Sequence, residues 1–276
     1  MSTYPTLSVV KALLQKHELA PIKRLGQNFL IDANIARKSL EMAAIQAGDC
    51  VVEIGPGLGA LTQLLLEKEC EVHAIEKDAG LFRYLEKELL QSYKSRLNLT
   101  HGDAMDKPLA SLSQQREDTK IVANLPYAIS TPWLDAVLSG PLPLRMVLML
   151  QMEAANRFVA NPGTGTYGPI SLFLKSAYKV MEIHKVAAQC FFPEPEVGSA
   201  LLSLERLKEP KRFPKEIKEG IRQIFRQRRK QIGSIIAKNP MAPQFQSWLQ
   251  ELVKQGMDPK KRPEAIGEDQ WQLLAD

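Results

Sequence analysis

The sequence predicts an α/β protein whose sheet is mostly parallel with an antiparallel terminal strand, followed by a small all-helical C-terminal domain. Between residues 50 and 150, short β-branched runs alternate with amphipathic stretches. This rhythm is typical of a parallel sheet covered by helices on both faces. Beyond residue 207 no strand-like run remains, and the apolar residues recur with helical periodicity.

The predicted elements follow one another in a simple order. A helix, SVVKALLQKHEL, comes first and is followed by a loop, APIKRLGQNFLID. Strands are expected at CVVEIG, CEVHAIE, RLNLTHGDA, KIVANL and RMVLML, with helices at ALTQLLLEKE, AGLFRYLEKELLQS and TPWLDAVLSG. The runs YKVMEIHKVAAQCFF and SALLSLERL are joined by PEPEVG, which is too short for a crossover helix, so we expect them to pair antiparallel. The last predicted helices are PKEIKEGIRQIFRQRRKQIGSIIAK and PQFQSWLQELVKQG.

Length and charge indicate two domains with different roles. The 276 residues, 45% of them apolar, can form one large and one small core. The Pro- and Lys-rich stretch KEPKRFPKE predicts a boundary between residues 1–206 and residues 207–276. Residues 206–276 hold 16 Lys and Arg against 9 Asp and Glu, whereas residues 1–205 hold 20 against 22. Such a basic segment is typical of a module that binds a polyanion, although a solvated basic surface would have the same composition.

Several classes of protein are disfavoured. No apolar run approaches the roughly 18 residues that a membrane helix needs, and charged residues interrupt the first thirty positions, so we expect a cytoplasmic protein without a membrane partner. Cys50, Cys70 and Cys190 are far apart and are interpreted as small buried hydrophobic residues. The four histidines show no ligand spacing, so no metal site is expected.

The segment VVEIGPGLGALT predicts a strand, a glycine turn and a helix start, where the backbone can approach a ligand closely. Because Gly55, Gly57 and Ala60 also satisfy the dinucleotide pattern G-x-G-x-x-A, this loop alone does not separate NAD from S-adenosylmethionine. Glu76 closes the second strand, where a carboxylate can accept hydrogen bonds from ribose hydroxyls, and Asp103 follows the third, where it can accept from an adenine amine. Each acid alone could be a surface residue, but three successive strand ends at one sheet edge favour a nucleoside cofactor.

The tetrapeptide Asn-Leu-Pro-Tyr follows the fourth predicted strand, where Pro126 cannot extend a sheet. A primary aromatic amine such as adenine N6 is a poor nucleophile because its lone pair is delocalised into the ring. The Asn124 side-chain oxygen and the Leu125 carbonyl could accept the two amine hydrogens and favour a pyramidal nitrogen, while Tyr127 offers a ring on which the base stacks. The plainer alternative is a strand-terminating turn with a core tyrosine.

Motifs along nearly the whole chain now identify a family. They are RLGQNFLID, VVEIGPGLGALT, AIEKD, GDAM, NLPYAIST, MLQMEAANRF, YGPISLFL, FFPEPEVGSALLSLERL and FRQRRKQI. In this order, they make the chain resemble the bacterial small-subunit ribosomal RNA adenine dimethyltransferases, which dimethylate two adjacent adenosines near the 3′ end of that RNA.

The resemblance implies a Rossmann-like class I methyltransferase sheet that uses S-adenosyl-L-methionine and acts on small-subunit ribosomal RNA or the immature small subunit. It implies contacts to the methyl donor from the following residues: Asn28, Leu30, Gly55, Glu76, Asp103 and Asn124. It also implies that Phe191 faces Tyr127 across the target adenine, and alternation along the chain then points Phe192 at the core. We expect a monomer, since no apolar segment indicates a partner surface.

Two positions depart from the family pattern. Glu196 stands where a Lys is usual and Gly198 where an Asp is usual. The change reverses the charge near the expected mouth of the site. It leaves the Asn-Leu-Pro-Tyr set unchanged, so the departure concerns RNA docking rather than the chemistry.

Two other functions remain open from the sequence. The first is a non-catalytic ribosome-assembly or transcription factor on the same scaffold, which would have no physical need of Asn124 and Tyr127. The second is an NAD oxidoreductase, which the glycine loop permits but for which no hydride-transfer residues are evident.

The helix expected after Pro214 carries a row of basic residues at spacings of three and four. Its members are Lys215, Lys218, Arg222, Arg226 and Arg229. Such spacing places them on one face, and we predict that this face contacts the RNA backbone. The alternative is a solvated helix face.

Overall fold

The structure is a computed structural model and describes residues 6–112, 116–238 and 243–275. The helices are α1 (Leu7–Lys16), α2 (Ala33–Met42), α3 (Ala60–Glu67), α4 (Ala79–Leu85), α5 (Ser130–Val137), α6 (Met152–Phe158), α7 (Pro169–Ala177), α8 (Lys215–Arg226), α9 (Ile232–Lys238), α10 (Pro243–Lys254) and α11 (Glu268–Trp271). The strands are β1 (Phe29–Leu30), β2 (Cys50–Ile54), β3 (Glu71–Glu76), β4 (Leu97–His101), β5 (Lys120–Asn124), β6 (Arg145–Gln151), β7 (Tyr178–Val186), β8 (Phe191–Phe192) and β9 (Ser199–Arg206).

Seven strands form one sheet in the order β4-β3-β2-β5-β6-β9-β7. The strands from β4 to β6 in this order are parallel to their neighbours, whereas β9 runs antiparallel to β6 with Met149 opposite Leu201. This topology confirms the predicted fold class. The two late runs expected to pair do lie side by side as β7 and β9. The end of the first run separates as β8 and pairs antiparallel with β1.

The central strands are apolar along their whole length because helices cover both faces of the sheet. Every residue of β2 is buried, and Val51 and Val52 have no exposed surface. Leu65 and Leu66 of α3 join the same large apolar cluster. A second cluster joins α1 to α4 and the glycine loop, with Val10 fully buried. This packing holds the carboxyl ends of the strands in fixed positions.

The sequence prediction missed α2, α6 and α7. Helix α2 begins where the side chain of Asp32 accepts hydrogen bonds from the backbone N–H groups of Asn34 and Ile35, a typical N-cap. Asp32 is the last residue of APIKRLGQNFLID, the segment predicted as a loop. The long helix predicted after Pro214 is in fact two helices, because α8 ends at Arg226 and α9 begins at Ile232.

The chain divides into two compact units. One unit is Met1–Ala155 with Val180–Arg206, and the other is Asn156–Lys179 with Leu207–Asp276. Residues 156–179 belong to the second unit because α7 packs there: Phe173 contacts the Phe213 ring, and Lys175 pairs with Glu268. The sequence boundary at residue 207 does not include this earlier segment, and the division into two functional domains stays a prediction. In the described ranges, no helix is both long and apolar enough to cross a membrane.

Candidate active site

A cleft lies at the carboxyl ends of β2, β3 and β5, which is where open α/β sheets bind ligands. The glycine loop after β2 forms one wall, and the loop before α2 forms another. All the residues predicted to contact the methyl donor line this cleft: Asn28, Leu30, Gly55, Glu76, Asp103 and Asn124. Leu125 and Tyr127 line it as well.

The glycine loop requires glycine for two physical reasons. Gly55 and Gly57 have φ values of 66° and 61°, in the left-handed region that side chains disfavour. A Cβ atom at Gly57 would also stand 3.2 Å from Cδ1 of Phe29, which is too close without a shift of the ring. The main chain therefore borders the cleft without intervening side chains.

Glu76 connects the end of β3 to the glycine loop. Its Oε2 accepts a hydrogen bond from the Gly57 N–H at 3.0 Å, and its Oε1 accepts one from the Asp78 N–H at 2.9 Å. The residue is only 5% exposed. Burial raises the pKa of Glu76, and the two backbone N–H groups oppose this shift. Since each carboxylate oxygen has two lone pairs, both can still accept from ribose hydroxyls.

Asp103 carries a partner that the sequence prediction missed. Its Oδ2 accepts a hydrogen bond from Lys77 Nζ at 2.6 Å, and its Oδ1 accepts one from the Met105 N–H at 2.9 Å. The hydrogen bond from Lys77, followed by that from Met105, lowers the pKa of Asp103 and keeps it an anion. Lys77 also lines the cleft, directly after Glu76 in the sequence.

A third acid that lines the cleft, Glu53, was missed by the sequence prediction. It is 1% exposed and accepts a hydrogen bond from the Thr62 hydroxyl at 2.7 Å. Burial raises its pKa to about 8, which the bond from Thr62 partly opposes. The available signal was a lone acid inside the apolar run of β2.

Asn124, at the end of β5, is oriented by main chain. Its Nδ2 donates to the carbonyl oxygen of Asn28 at 2.9 Å, and Asn28 in turn donates from its own Nδ2 to the Gly26 carbonyl at 3.1 Å. Holding the donor end of the Asn124 amide fixes which end is the acceptor for a substrate amine. The GQNFL loop therefore supports the Asn-Leu-Pro-Tyr segment directly.

Tyr127 is half-buried and begins a single turn of 3₁₀ helix that leads into α5. Its hydroxyl oxygen lies 2.7 Å from Oγ of Ser199, the first residue of β9. Burial raises the pKa of Tyr127, and the hydrogen bond with Ser199 opposes the shift. The sequence prediction did not include Ser199, although it belongs to the quoted FFPEPEVGSALLSLERL motif.

The orientation predicted for the two phenylalanines of that motif is wrong. Phe191, expected in the cleft, is 1% exposed and packs in the large apolar cluster with Leu30 and Leu201. Phe192, expected in the core, is only partly buried, and Lys11 Nζ lies 5.4 Å from its ring centroid. The cause is the short pairing of β8 with β1, which places Phe191 opposite the buried Leu30. Neither ring is among the described residues that line the cleft.

This placement changes the expected effect of Phe191→Ala. Loss of a fully buried ring should lower the free energy of unfolding by about 3–5 kcal/mol, whereas Phe192→Ala should cost less. Denaturant unfolding of both variants measures this difference. If Phe191→Ala kept wild-type stability but lost methyl transfer, the stacking role that the family resemblance implies would be restored.

The predicted basic stripe is also only partly correct. Lys218 is 5% exposed, with Nζ 4.9 Å from the Phe173 ring centroid, and the Arg222 guanidinium lies 5.7 Å from the same ring. Both cations pack on an aromatic face because α7 adjoins α8, which the sequence did not indicate. Arg229 lies beyond the end of α8. The members of the stripe that are exposed are Lys215, Arg226 and Arg229.

The cysteines are buried and free, as expected. At the opposite ends of β2 and β3, however, the fold brings together potential metal ligands that the sequence spacing did not reveal. The ligand atoms of Cys50, Glu71 and His73 lie within 4.8 Å of one another. Both ring nitrogens of His73 already have hydrogen-bonding neighbours, Ser111 Oγ and Glu71 Oε1, each at 3.1 Å.

The sheet topology, the glycine loop and the acids at the ends of successive strands define a class I, S-adenosylmethionine-dependent methyltransferase. Residues 21–268 match the family model described as ribosomal RNA adenine dimethylase, and the chain belongs to this family. As a member, it is an enzyme that dimethylates adenine in ribosomal RNA with S-adenosylmethionine as the methyl donor.

Three similar proteins cover nearly the whole chain. The ribosomal RNA small subunit methyltransferase A of Opitutus terrae is 51% identical over 98% of this chain and 97% of its own length. That of Clostridium botulinum is 34% identical over 96% of this chain and 97% of its own. The crystal structure of a dimethyladenosine transferase from Plasmodium falciparum superimposes with a TM-score of 0.73 at 26% identity, covering 89% of this chain and 95% of that one.

The chemistry of the cleft fits S-adenosylmethionine. Its ribose hydroxyls and adenine amine are donors, and Glu76 and Asp103 supply acceptors at the ends of adjacent strands. The substrate amine is a donor as well, and Asn124 supplies its acceptor. These individual residue roles are proposals.

Proposed function

We propose that this protein transfers methyl groups to N6 of two adjacent adenosines near the 3′ end of small-subunit ribosomal RNA. We place it in the cytoplasm, acting as a monomer on the immature small subunit and without a membrane partner. The observation that carries the proposal is the orientation of Asn124 by the GQNFL loop, in a chain of the ribosomal RNA adenine dimethylase family.

The proposed mechanism relies on positioning. S-adenosylmethionine, when bound, supplies an electrophilic methyl group. Asn124 Oδ1 and the Leu125 carbonyl accept the two hydrogens of the substrate amine, which favours a pyramidal nitrogen with its lone pair directed at the donor. Tyr127 stacks on the base after it has left its RNA stack. No strong general base is needed in this arrangement.

Incubation with tritiated S-adenosylmethionine and immature small subunits tests the proposal. We expect label in N6,N6-dimethyladenosine from a 3′-terminal RNA fragment, with two methyl groups on each of two adjacent adenosines. Mature subunits, already methylated, are the matched control and should take up little label. Binding of subunits without transfer would instead indicate a non-catalytic assembly factor.

The exposed basic residues of the second unit are proposed to contact RNA phosphates. Replacing both Arg226 and Arg229 with Gln should weaken binding to the small subunit, because fewer counterions are released. The slope of log affinity against log salt should become shallower by up to about two units, at roughly 0.7–0.9 per phosphate contact. Filter binding across a salt series measures this slope, and an unchanged slope in the double variant would mean that both arginines face water.

Lys218→Met is the matched control for this experiment. It removes a charge of the same sign from α8, the helix that carries Arg226, but the ammonium is buried against Phe173. It should alter stability and leave the salt slope unchanged. A reduced slope for Lys218→Met would show that the buried lysine becomes exposed to bind RNA.

A further inference from the structure

Ser199 is not among the described residues that line the cleft, but its hydroxyl contacts Tyr127, which does line it. Ser199 is 1% exposed, and its Oγ lies 2.7 Å from the Tyr127 hydroxyl. Ser199 opens β9, where it is paired with Gln151, and β9 has neighbouring strands on both sides. The serine is therefore attached to a rigid part of the sheet, on which a positioning contact can be precise.

Tyr127, in contrast, lies on a less regular segment. It follows Pro126 and begins a 3₁₀ turn of only three residues. Its ring has two side-chain torsions, and the residue lines the cleft. A hydrogen bond at the far end of the side chain fixes the direction of the ring axis relative to Asn124, and the preference of the phenol O–H for the ring plane restrains rotation about that axis.

We propose that Ser199 is a positioning residue that holds the Tyr127 ring in the orientation needed to stack on the target adenine. This inference rests on the proposed function. Through Ser199, the FFPEPEVGSALLSLERL motif contacts the Tyr127 side chain of the site. This contact does not involve Phe191, which is buried in the core. Ser199 itself touches neither the base nor the methyl donor.

The chemistry of the pair provides a test that separates positioning from simple satisfaction of a buried hydroxyl. Ser199→Ala leaves the Tyr127 hydroxyl without its partner and should reduce both stability and methyl transfer. Tyr127→Phe removes the same bond from the other side. In the double variant neither polar group remains, so stability should recover relative to Ser199→Ala. Activity should not recover, because the ring is still free to tilt.

The experiment measures single-turnover methyl transfer to immature small subunits at saturating S-adenosylmethionine. We expect each single variant to be about five- to tenfold slower than wild type, as loss of one hydrogen bond predicts, and the double variant to be no slower than the singles. Affinity for S-adenosylmethionine should be unchanged in all three. Wild-type rates in the single variants, or recovery of activity with stability in the double variant, would overturn the proposal.

Ser203→Ala is the matched control. Ser203 lies on the same strand, is 2% exposed and donates to the Met42 carbonyl at 3.2 Å. Ser203→Ala should reduce stability as Ser199→Ala does. Its rate of methyl transfer, however, should equal that of wild type. Equal losses of activity in both serine variants would assign the effect to strand β9 as a whole and reject the specific role of Ser199.

A spectroscopic measurement separates this inference from the proposed function. The protein has six tyrosines, and the Tyr127 ring signals in a tyrosine-labelled sample are those missing from Tyr127→Phe. We expect one sharp set in wild type, broadened or shifted signals in Ser199→Ala, and wild-type signals in Ser203→Ala. If wild type methylates no small subunit, the proposed function fails, and these signals still decide whether Ser199 holds the ring. Unchanged signals in Ser199→Ala reject the inference alone.

Discussion

Replacing Asn124 with Ala is expected to lower the rate of methyl transfer about 10²-fold or more, the usual cost of losing one preorganised polar contact to a transition state. The structure shows why this contact is preorganised. The Asn28 carbonyl holds the donor end of the amide at 2.9 Å, so the acceptor end needs no reorientation when the substrate amine arrives. Single-turnover kinetics with saturating S-adenosylmethionine measures the rate of the chemical step.

Affinity for the methyl donor should be largely intact in the same variant, because Glu76 and Asp103 remain. Asn98→Ala is the control: it removes an exposed asparagine side chain from strand β4 of the same sheet and should leave the rate unchanged. Wild-type turnover by Asn124→Ala would remove this residue from the mechanism. A large loss of donor affinity would instead assign Asn124 mainly to cofactor binding.

The sheet and its cleft could be predicted from the sequence for a physical reason. In a parallel sheet every strand delivers its carboxyl end to the same edge, so residues that follow the strands in sequence must meet in space. Gly55, Glu76, Asp103 and Asn124 could therefore be placed together from their positions alone. This reasoning needs no side-chain geometry.

The contacts that the prediction missed depend on pairing between segments far apart in the sequence. Phe191 is buried because β8 pairs with β1, and Lys218 is buried because α7 joins the second unit. Alternation and helical spacing describe a segment by itself. These patterns do not show which neighbouring element covers each face. The direction of a single ring or ammonium group therefore could not be predicted from them.

The two acids at adjacent strand ends are held in different electrostatic surroundings. Glu76 is buried, which raises its pKa, whereas Asp103 is paired with Lys77, which lowers its pKa. Backbone N–H groups bond to both, so each is a rigid acceptor. Glu76 has no paired cation among the described ion pairs, and we therefore expect its charge to be satisfied chiefly by hydrogen-bond donors, including those of the ligand.

Glu76→Gln is accordingly expected to weaken binding of S-adenosylmethionine roughly 10- to 100-fold. A hydrogen bond to a charged acceptor contributes about 1.5–3 kcal/mol, and the amide both removes the charge and replaces one acceptor oxygen with a donor nitrogen. That nitrogen would face either the Gly57 N–H or the Asp78 N–H, two donors in opposition, so the glycine loop should also loosen. Calorimetric titration with S-adenosylmethionine measures the affinity directly.

Glu71→Gln provides the matched comparison, because it makes the same chemical change at the other end of the same strand, β3. Glu71 lies outside the cleft. The Glu71→Gln variant should therefore bind the methyl donor with wild-type affinity. If Glu76→Gln bound S-adenosylmethionine as tightly as wild type does, the ribose would have to be held by other groups. A loss in both variants would indicate that β3 is destabilised as a whole. Only a loss confined to Glu76→Gln supports a carboxylate that binds the ribose while it anchors the glycine loop.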